Sequence, residues 1–239
     1  MRDMIPGRIF HFHIWEPNNS SVIAHLLKEG DVFIDVGANI GYYSIFASKL
    51  VGPSGRVVAI EASPEISKKL KGNVILNETK NIRMINEAAS DHTGFLDLFV
   101  GNKRNTGSTT TVQELGTAPL GRVAARPLPD MLTEDEIERA TLVKIDVEGA
   151  EAGVVRGILG ARWRNDLKLI VEINPEVESK GGENLFTMLR DHGFLAYAID
   201  NEYTWEWYFS WTATKPPTPL SEAPTVQTDV LFSRVPLQF

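Results

Sequence analysis

The segment from Asp31 to Ser44 joins a short apolar run to a glycine turn, a pattern that could place polypeptide backbone against a ligand. Gly37 would let the backbone approach closely, and Gly41 would let a helix pack against the preceding strand. Asp35 stands just before the turn, where a carboxylate favours a cationic group and repels a pyrophosphate. Asn39 could bond a carboxylate through its amide. The spacing differs from the nicotinamide and flavin pattern and suits the methionine end of S-adenosylmethionine.

Glu61 follows a second apolar run, Val57–Ile60. A carboxylate at the end of the second strand, roughly 20 residues after a glycine turn, is placed to accept both ribose hydroxyls. Asp35 and Glu61 could instead be ordinary acids at strand ends. The turn and both acids occur in the order that a cofactor site requires, which favours the binding interpretation.

A second charged segment follows a buried run later in the chain. A strand with a period of two would place Lys144, Asp146 and Glu148 on one face. Asp146 and Glu148 should then project into the same crevice as Asp35. A carboxylate there could orient a sulfonium, bind an acceptor hydroxyl or accept its proton. The alternative is that these acids, and Glu151 even more so, cap the next helix, whose N-terminus attracts negative charge.

Strands and helices alternate from residue 31, which predicts an α/β fold with an open, doubly wound and mostly parallel sheet. The last strand follows a loop rather than a helix, so it could insert antiparallel. The predicted strands are Val32–Val36, Arg56–Ile60, Ile82–Asn86, Gly94–Val100, Arg122–Pro127, Leu142–Val147, Leu167–Ile173, Leu195–Ile199 and Asp229–Arg234. The predicted helices are Ser20–Glu29, Ile40–Val51, Pro64–Leu76, Pro129–Arg139, Ala150–Leu159 and Glu183–His192.

The chain is predicted to have a short N-terminal segment and one large domain. The predicted ranges are the N-terminal segment (1–30) with an extended piece (Arg8–Trp15), and the domain (31–239) with a strand-and-loop insertion (about 93–128) and an aromatic, then proline-rich connection (200–228). On the extended piece His11 and His13 would share a face, a spacing that permits a metal site. No third ligand is in view, and a surface or interface pair is favoured.

Composition sets the broad class. The chain has 239 residues, 43% hydrophobic, with a formal net charge of −7 and no cysteine. The missing cysteines exclude disulfides and thiolate chemistry, and the acidic balance disfavours a nucleic-acid partner. Because neither a signal peptide nor an apolar run of about 18 residues is visible, we expect a cytoplasmic protein without membrane insertion.

Six segments resemble the FkbM family of S-adenosylmethionine-dependent methyltransferases, and the most specific of them is LVKIDVEGAE. The resemblance implies a Rossmann-like class I methyltransferase fold with a seven-stranded sheet, and O-methylation of sugars, glycolipid-type hydroxyls or polyketides. AIEASPE departs from the commoner family pattern, which could reshape the adenine side. The matching segments are DVFIDVGANIGYYS (31–44), VVAIEASPE (57–65), NEAASDHTG (86–94), LVKIDVEGAE (142–151), LIVEINPE (169–176) and TDVLF (228–232).

The resemblance also implies roles for single residues. The glycine turn would hold the methionine part, Glu61 the ribose, and the segment Glu87–Asp91 would border the adenine, while Glu16 could close over the cofactor. The expected cofactor-binding residues are Glu16, Asp35, Gly37, Asn39, Gly41, Glu61, Ala62, Ala88, Ser90 and Asp146, and the catalytic candidates are Asp146 and Glu148. Together with Glu172 these two acids could ligate a divalent metal, but the family does not require one and no metal site is predicted.

Two further features could contact an acceptor. The loop Asn105–Thr111 could be a lid or a mobile turn. The aromatic residues Tyr203, Trp205, Trp207, Tyr208 and Trp211 could stack on a sugar or a flat polyketide, or form a core or dimer contact. We expect a small-molecule acceptor as partner, with a homodimer as a further possibility. The alternatives are a non-catalytic cofactor-binding scaffold, a nicotinamide oxidoreductase, and a methyltransferase that acts on a macromolecule.

Overall fold

The computed structural model describes residues 4–100, 109–111, 119–179 and 183–239. The strands are β1 (Val32–Val36), β2 (Arg56–Ile60), β3 (Ile82–Ile85), β4 (Ala88–Ser90), β5 (Gly94–Val100), β6 (Thr109–Thr110), β7 (Gly121–Pro127), β8 (Ala140–Ile145), β9 (Lys168–Ile173), β10 (Leu195–Ile199), β11 (Thr218–Leu220) and β12 (Thr228–Ser233). The helices are α1 (Met4–Phe12), α2 (Pro17–Leu26), α3 (Tyr42–Val51), α4 (Pro64–Leu76), α5 (Leu128–Met131), α6 (Glu134–Arg139), α7 (Glu151–Leu159), α8 (Pro175–Ser179), α9 (Leu185–Asp191) and α10 (Trp205–Ser210).

The main sheet has eight strands in the order β11-β10-β12-β9-β8-β1-β2-β3. The five strands from β9 to β3 are parallel, and β12 pairs antiparallel with both β9 and β10. This confirms the predicted Rossmann-like, mostly parallel α/β fold and the antiparallel insertion of the last strand. The additional strand β11 lies at the sheet edge, which tolerates Pro219 because an edge strand can leave one side of its backbone unpaired.

Helices cover both faces of the main sheet, and β1 shows how the sequence achieves this. All five of its residues are buried, as expected for a parallel strand covered on both sides. Val32, Ile34 and Val36 pack in the core that contains residues of α7 and α9. Phe33 packs in the opposite core with residues of α2 and α3. Asp35 shares the face of Phe33 because side chains alternate along a strand.

A smaller sheet has the strand order β4-β7-β5-β6. Three of these strands come from the predicted insertion, and their apolar residues Leu98, Val123 and Ala125 pack against Ala88. The insertion therefore lies beside the strand that follows β3. The division of the chain at residue 30 stays a prediction.

The prediction of an extended piece at Arg8–Trp15 was wrong, because this part of the chain begins with the helix α1. Ile5, Ile9 and Phe12 recur at helical spacing and pack against one buried core. The alternation of aromatic and histidine residues matches the period of a strand. The packing of Ile5, Ile9 and Phe12 against the core, on one side of a helix, stabilises α1 instead.

The predicted histidine pair does not form on a strand. His11 lies within α1, and His13 follows the helix with a φ of 58°. Helix α2 begins at Pro17, three residues before the predicted start. Asn19, which precedes the predicted helix, therefore lies inside the observed one and is fully buried.

The single helix predicted over Pro129–Arg139 is two short helices, α5 and α6. The break follows from a capping box, in which Thr133 and Glu136 each accept a hydrogen bond from the backbone of the other. Across the described part of the chain, no helix is both long and apolar enough to cross a membrane.

Candidate active site

A cavity of about 300 Å³ lies at the carboxyl ends of β1, β2, β8 and β9, the edge at which open α/β sheets bind ligands. Eight of the predicted site residues line it, and three do not. Those that line it are Glu16, Gly37, Asn39, Glu61, Ala62, Ala88, Asp146 and Glu148. Those outside the lining are Asp35, Gly41 and Ser90.

The glycine turn after β1 is built for contacts within the protein. Gly37 has a φ of +81°, and a Cβ placed on it would lie 1.8 Å from the carbonyl oxygen of Asp146. Gly41 has a φ of +91°, and its Cβ would lie 2.4 Å from a methyl carbon of Leu70 in α4. Gly37 lines the cavity, yet the group that takes the space beside it is the backbone after β8. Gly41 packs against α4 rather than against the preceding strand.

Asp35 lies beneath the cavity. It is 1% exposed, and its Oδ2 accepts a hydrogen bond of 2.6 Å from the Ser44 hydroxyl on α3. Lys144 is its partner in the register of β1 and β8. Burial raises the pKa of Asp35, and the positive charge of Lys144 opposes that rise. Asp35 therefore binds Ser44 and pairs with Lys144 in the strand register behind the cavity lining.

Lys144 is a buried cation that sequence reasoning placed on the correct face without giving it a role. It is 2% exposed, and its Nζ donates a hydrogen bond of 2.8 Å to Oδ2 of Asp146. Burial would lower the pKa of Lys144, but the carboxylates of Asp146, Glu16 and Asp229 outweigh it and raise the pKa above its usual value. Lys144 is therefore charged and holds several acids together.

Glu16 joins three distant parts of the chain. Its Oε2 accepts hydrogen bonds from the hydroxyl of Tyr43 at 2.5 Å and from the amide of Asn19 at 2.8 Å. Its Oε1 accepts a hydrogen bond of 3.0 Å from Tyr203. Asn19 also donates to Oδ2 of Asp229 at 2.7 Å. This network ties α2, α3, the 200–228 connection and β12 into one wall.

Sequence reasoning missed Asn19, Tyr43 and Asp229 as members of the site. An Asn in the first turn of a helix is typical of a cap, and Tyr43 matches an ordinary core aromatic. Asp229 is the one acid within the apolar run TDVLF, a signal that could have been found. A buried acid on a strand needs a partner, but the partner's identity depends on a contact across 210 residues.

Glu61 lies at the other end of the cavity. Its Oε2 accepts the backbone N–H of Asn39 and its Oε1 that of Ser63, each at 2.9 Å. Burial raises the pKa of Glu61 to about 7, although both hydrogen bonds favour the ionised form. Each oxygen keeps acceptor capacity for one more donor. Ala62 and Ala88 line the same end, whereas the Ser90 hydroxyl bonds Asp91 and His92.

The turn after β8 holds Glu148 in a strained conformation. β8 ends at Ile145, two residues before the predicted end. Glu148 has a φ of 54° and Gly149 a φ of 100°, so Glu148 does not continue the strand face of Lys144 as predicted. Oε1 of Glu151 accepts the N–H groups of Val147 at 3.1 Å and Gly149 at 3.0 Å. Both N–H groups precede α7, whose N-cap has no side-chain hydrogen bond, so Glu151 binds the turn rather than capping the helix, and Asp146 is engaged by Lys144.

The Glu148 carboxyl has a raised pKa of about 7. Burial is the main cause, the nearby carboxylates of Asp146 and Glu151 add to it, and Lys144 opposes it. The Glu148 carbonyl accepts a hydrogen bond of 2.7 Å from the Thr110 hydroxyl. An acid of this kind can exchange a proton near neutral pH.

The predicted lid is described in part. Residues 105–108 of Asn105–Thr111 lie outside the described residues, while Thr109 and Thr111 line the cavity. The position of these two threonines beside the Glu148 turn agrees with a contact to an acceptor.

The aromatic residues of the 200–228 connection have different roles. Tyr203 lines the cavity. Trp205 and Tyr208 instead pack on α1, with their ring centres 5.6 and 5.1 Å from that of Phe12. Arg8 lies over both rings at 5.2 Å. Tyr208 is buried and fits the core-contact alternative, whereas Trp205 is 41% exposed. Within the described ranges, no group of three or more His, Asp or Glu side chains is arranged to hold a metal ion.

Known proteins are similar to this chain in sequence. The family described as the methyltransferase FkbM domain matches residues 35–196. The 31-O-demethyl-FK506 methyltransferase FkbM of Streptomyces tacrolimicus is 29% identical over 72% of this chain and 75% of its own length. Methyltransferase sdnD of Sordaria araneosa is 26% identical over 69% of this chain and 77% of its own length.

Solved structures share the fold at low sequence identity. A SAM-dependent O-methyltransferase from Thermotoga maritima aligns with a TM-score of 0.55 at 15% identity, over 97% of this chain and 71% of that chain. A Streptococcus mutans protein determined in complex with SAH aligns with a TM-score of 0.53 at 12% identity, over 93% of this chain and 99% of that chain. The resemblance inferred from the sequence is confirmed: the chain belongs to the FkbM domain family of S-adenosylmethionine-dependent methyltransferases.

Proposed function

We propose that this methyltransferase transfers the methyl group to a hydroxyl oxygen of a small-molecule acceptor, with Glu148 as the general base. The observation that carries the proposal is the contrast between two neighbouring acids. Asp146 is paired with Lys144 at 2.8 Å, whereas Glu148 lines the cavity with a pKa of about 7. A base with a pKa near the working pH is suited to remove a hydroxyl proton.

The residues present fit the cofactor. Four acids raise the pKa of Lys144, namely Asp146, Glu16, Asp229 and Asp35, and all of them except Asp146 are buried. Buried negative charge needs compensation, and a ligand with an ammonium and a sulfonium would supply it. When bound, S-adenosylmethionine supplies an activated methyl group on its sulfur. This chemistry agrees with the donor set better than a nicotinamide pyrophosphate would.

We further propose which residues hold the cofactor. Glu61 would accept the ribose hydroxyls on the free acceptor capacity of its two oxygens, and Ala62 and Ala88 would border the adenine. Asn39 and the Gly37 backbone would contact the methionine part. The position of Asp35 beneath the cavity limits it to an electrostatic role, and the same reasoning limits Gly41 and Ser90 to supporting the turn and β4.

In the proposed reaction, the chain mainly positions the two reactants. Glu148 would accept the acceptor's proton on its carboxylate. The acceptor oxygen would bond to the methyl carbon supplied by the bound cofactor as the bond from that carbon to sulfur breaks, with the neutral thioether as leaving group. Lys144 would hold Asp146 in place throughout by its hydrogen bond of 2.8 Å. The name of the Streptomyces relative, which specifies a 31-O-demethyl substrate, also supports oxygen as the acceptor atom.

The test uses S-adenosylmethionine with a ¹³C methyl group and a panel of hydroxylated small molecules. NMR of the product should show an O–CH3 carbon. Glu148→Gln should lower kcat by about 100-fold or more and leave cofactor affinity nearly unchanged. The wild-type kcat should rise as the pH increases through about 7, and this rise should vanish in the variant.

Glu65→Gln is the matched control, because the Glu65 side chain is 84% exposed on α4. Its kcat should equal that of the wild type. An N-methyl or S-methyl product, or an unchanged pH profile in Glu148→Gln, would contradict the proposal.

A further inference from the structure

The order of the strands places the residues of the cavity one after another along the edge of the sheet. Glu61 follows β2, the glycine turn follows β1, Asp146 follows β8 and Glu172 lies in β9. Neighbouring strands are roughly 4.8 Å apart, so Glu61 and Glu172 are separated by about 14 Å along this edge. If the ribose lies at Glu61, the end of the cavity at Glu172 is left for the acceptor.

This far end is formed by two strands that run in opposite directions. Glu172 of β9 pairs with Asp229 of β12 across the sheet, so the beginning of β12 reaches the same edge as the end of β9. Gln227, just before β12, donates a hydrogen bond of 2.5 Å from Nε2 to Oε1 of Glu172. Both side chains line the cavity, and we call the pair Glu172 and Gln227 the acceptor end.

The acceptor end is poor in positive charge. Lys144 is the one Lys or Arg among the described residues that line the cavity, and it is already paired with Asp146. The acids that line the cavity are Glu16, Glu61, Glu87, Asp146, Glu148 and Glu172. Glu87 has a partner outside the lining in Arg126, at 2.6 Å.

Glu172 lacks such compensation. Burial raises its pKa well above the usual range, and the carboxylates of Asp146 and Asp229 add to the rise. Like charges placed together at a binding surface cost several kcal/mol. The burial and the nearby carboxylates that oppose ionisation of Glu172 would equally oppose a phosphate or carboxylate of an acceptor beside it, whereas a neutral hydroxyl could hydrogen-bond with Glu172 or with the amide of Gln227.

On the basis of the proposed function, we infer that Glu172 and Gln227 determine acceptor specificity and select an uncharged, polyhydroxylated molecule over an anionic one. One hydroxyl of the acceptor lies at Glu148, and a second is bound by the acceptor end. Glu172 and Gln227 act on binding, so neither is required for the proton transfer itself.

The experiment compares two acceptors that differ in charge alone, an alkyl glucoside and the corresponding alkyl glucuronide. We expect the wild-type kcat/KM to favour the glucoside by about tenfold or more. Glu172→Lys places a cation among these carboxylates and should reduce this preference by about tenfold, with cofactor affinity unchanged. Gln227→Leu should raise KM for the glucoside with a smaller effect on kcat.

Glu222→Lys provides the matched control, since it introduces a cation at an exposed residue outside the cavity and should leave the preference intact. A wild-type preference for the glucuronide, or an unchanged ratio in Glu172→Lys, would overturn the inference and leave O-methylation standing. Methyl transfer to nitrogen or sulfur would instead overturn the proposed function on which the inference rests.

Discussion

The carbonyl oxygen of Asp146 occupies the place toward which a side chain on Gly37 would project, at 1.8 Å from its Cβ. The N–H of Asp146 also donates a hydrogen bond of 3.0 Å to the carbonyl of Val36. The turn after β1 and the turn after β8 therefore fit together through backbone atoms. The position of the candidate catalytic turn depends on the absence of a side chain at residue 37.

Gly37→Ala should consequently destabilise the fold and weaken cofactor binding. A left-handed φ costs a non-glycine residue about 1–2 kcal/mol, and the backbone clash should add about 1–3 kcal/mol. Urea unfolding measures the sum. Gly72→Ala is the control, because Gly72 lies in α4 with nothing within 4 Å of its Cβ. That change should be neutral or stabilising by up to about 1 kcal/mol.

Lys144→Met should reduce the free energy of unfolding by about 3–5 kcal/mol, since it leaves buried carboxylates without their cation. Lys215→Met breaks the ion pair with Asp200, whose side chains are 68% and 66% exposed, and should cost less than about 1 kcal/mol. Equal effects of the two substitutions in urea unfolding would show that Lys144 does not hold the acids together.

Glu61 should make stability depend on pH. Its pKa is about 7 in the folded protein against an ordinary value of 4.5. The contribution of Glu61 to stability is therefore complete below about pH 4.5 and is lost as the pH rises toward 7. Glu61→Gln cannot ionise, so its free energy of unfolding relative to the wild type should increase by on the order of 1–3 kcal/mol between about pH 5 and 8. A difference that stays constant over this range would exclude the raised pKa.

Glu151 should be a positioning residue for Glu148. Glu151→Ala removes the acceptor of two backbone N–H groups and should cost about 1–3 kcal/mol together with most of kcat. Glu151→Gln keeps an oxygen at the same place and should retain much of the activity, a rescue that a purely electrostatic role would not allow. Glu138→Ala, on an exposed residue, should have no effect.

The parts of the fold with strong local signals could be predicted from the sequence. β1, β2 and α4 have the predicted bounds. Two of them are apolar strands buried on both faces, and α4 begins with Ser63 as its cap and a proline in its first turn. The positions of the glycine turn, Glu61 and Asp146 at the cavity could be predicted for the same reason. Each of them directly follows a strand in its own strand–turn–helix unit, so local sequence determines where it lies.

The parts that depend on distant contacts could not be predicted. The sequence predicts an extended piece where α1 lies, because the alternating aromatic residues match a period of two. The burial of α1 depends instead on its contact with α10, about 190 residues later in the chain. The role of Asn19 depends on Glu16 nearby and on Asp229 near the other end of the sequence. Neither relationship leaves a pattern within a local window of sequence.

The insertion of β12 between β9 and β10 has a consequence for how the protein is made. Both neighbours are synthesised before β12, so each of them lacks this pairing partner until β12 has left the ribosome. Until residues 228–233 emerge, β9 and β10 each present an unpaired edge that can join another chain. The carboxylate of Asp229 arrives with that same strand, so its hydrogen bond with Asn19 forms only at the step that also closes the sheet.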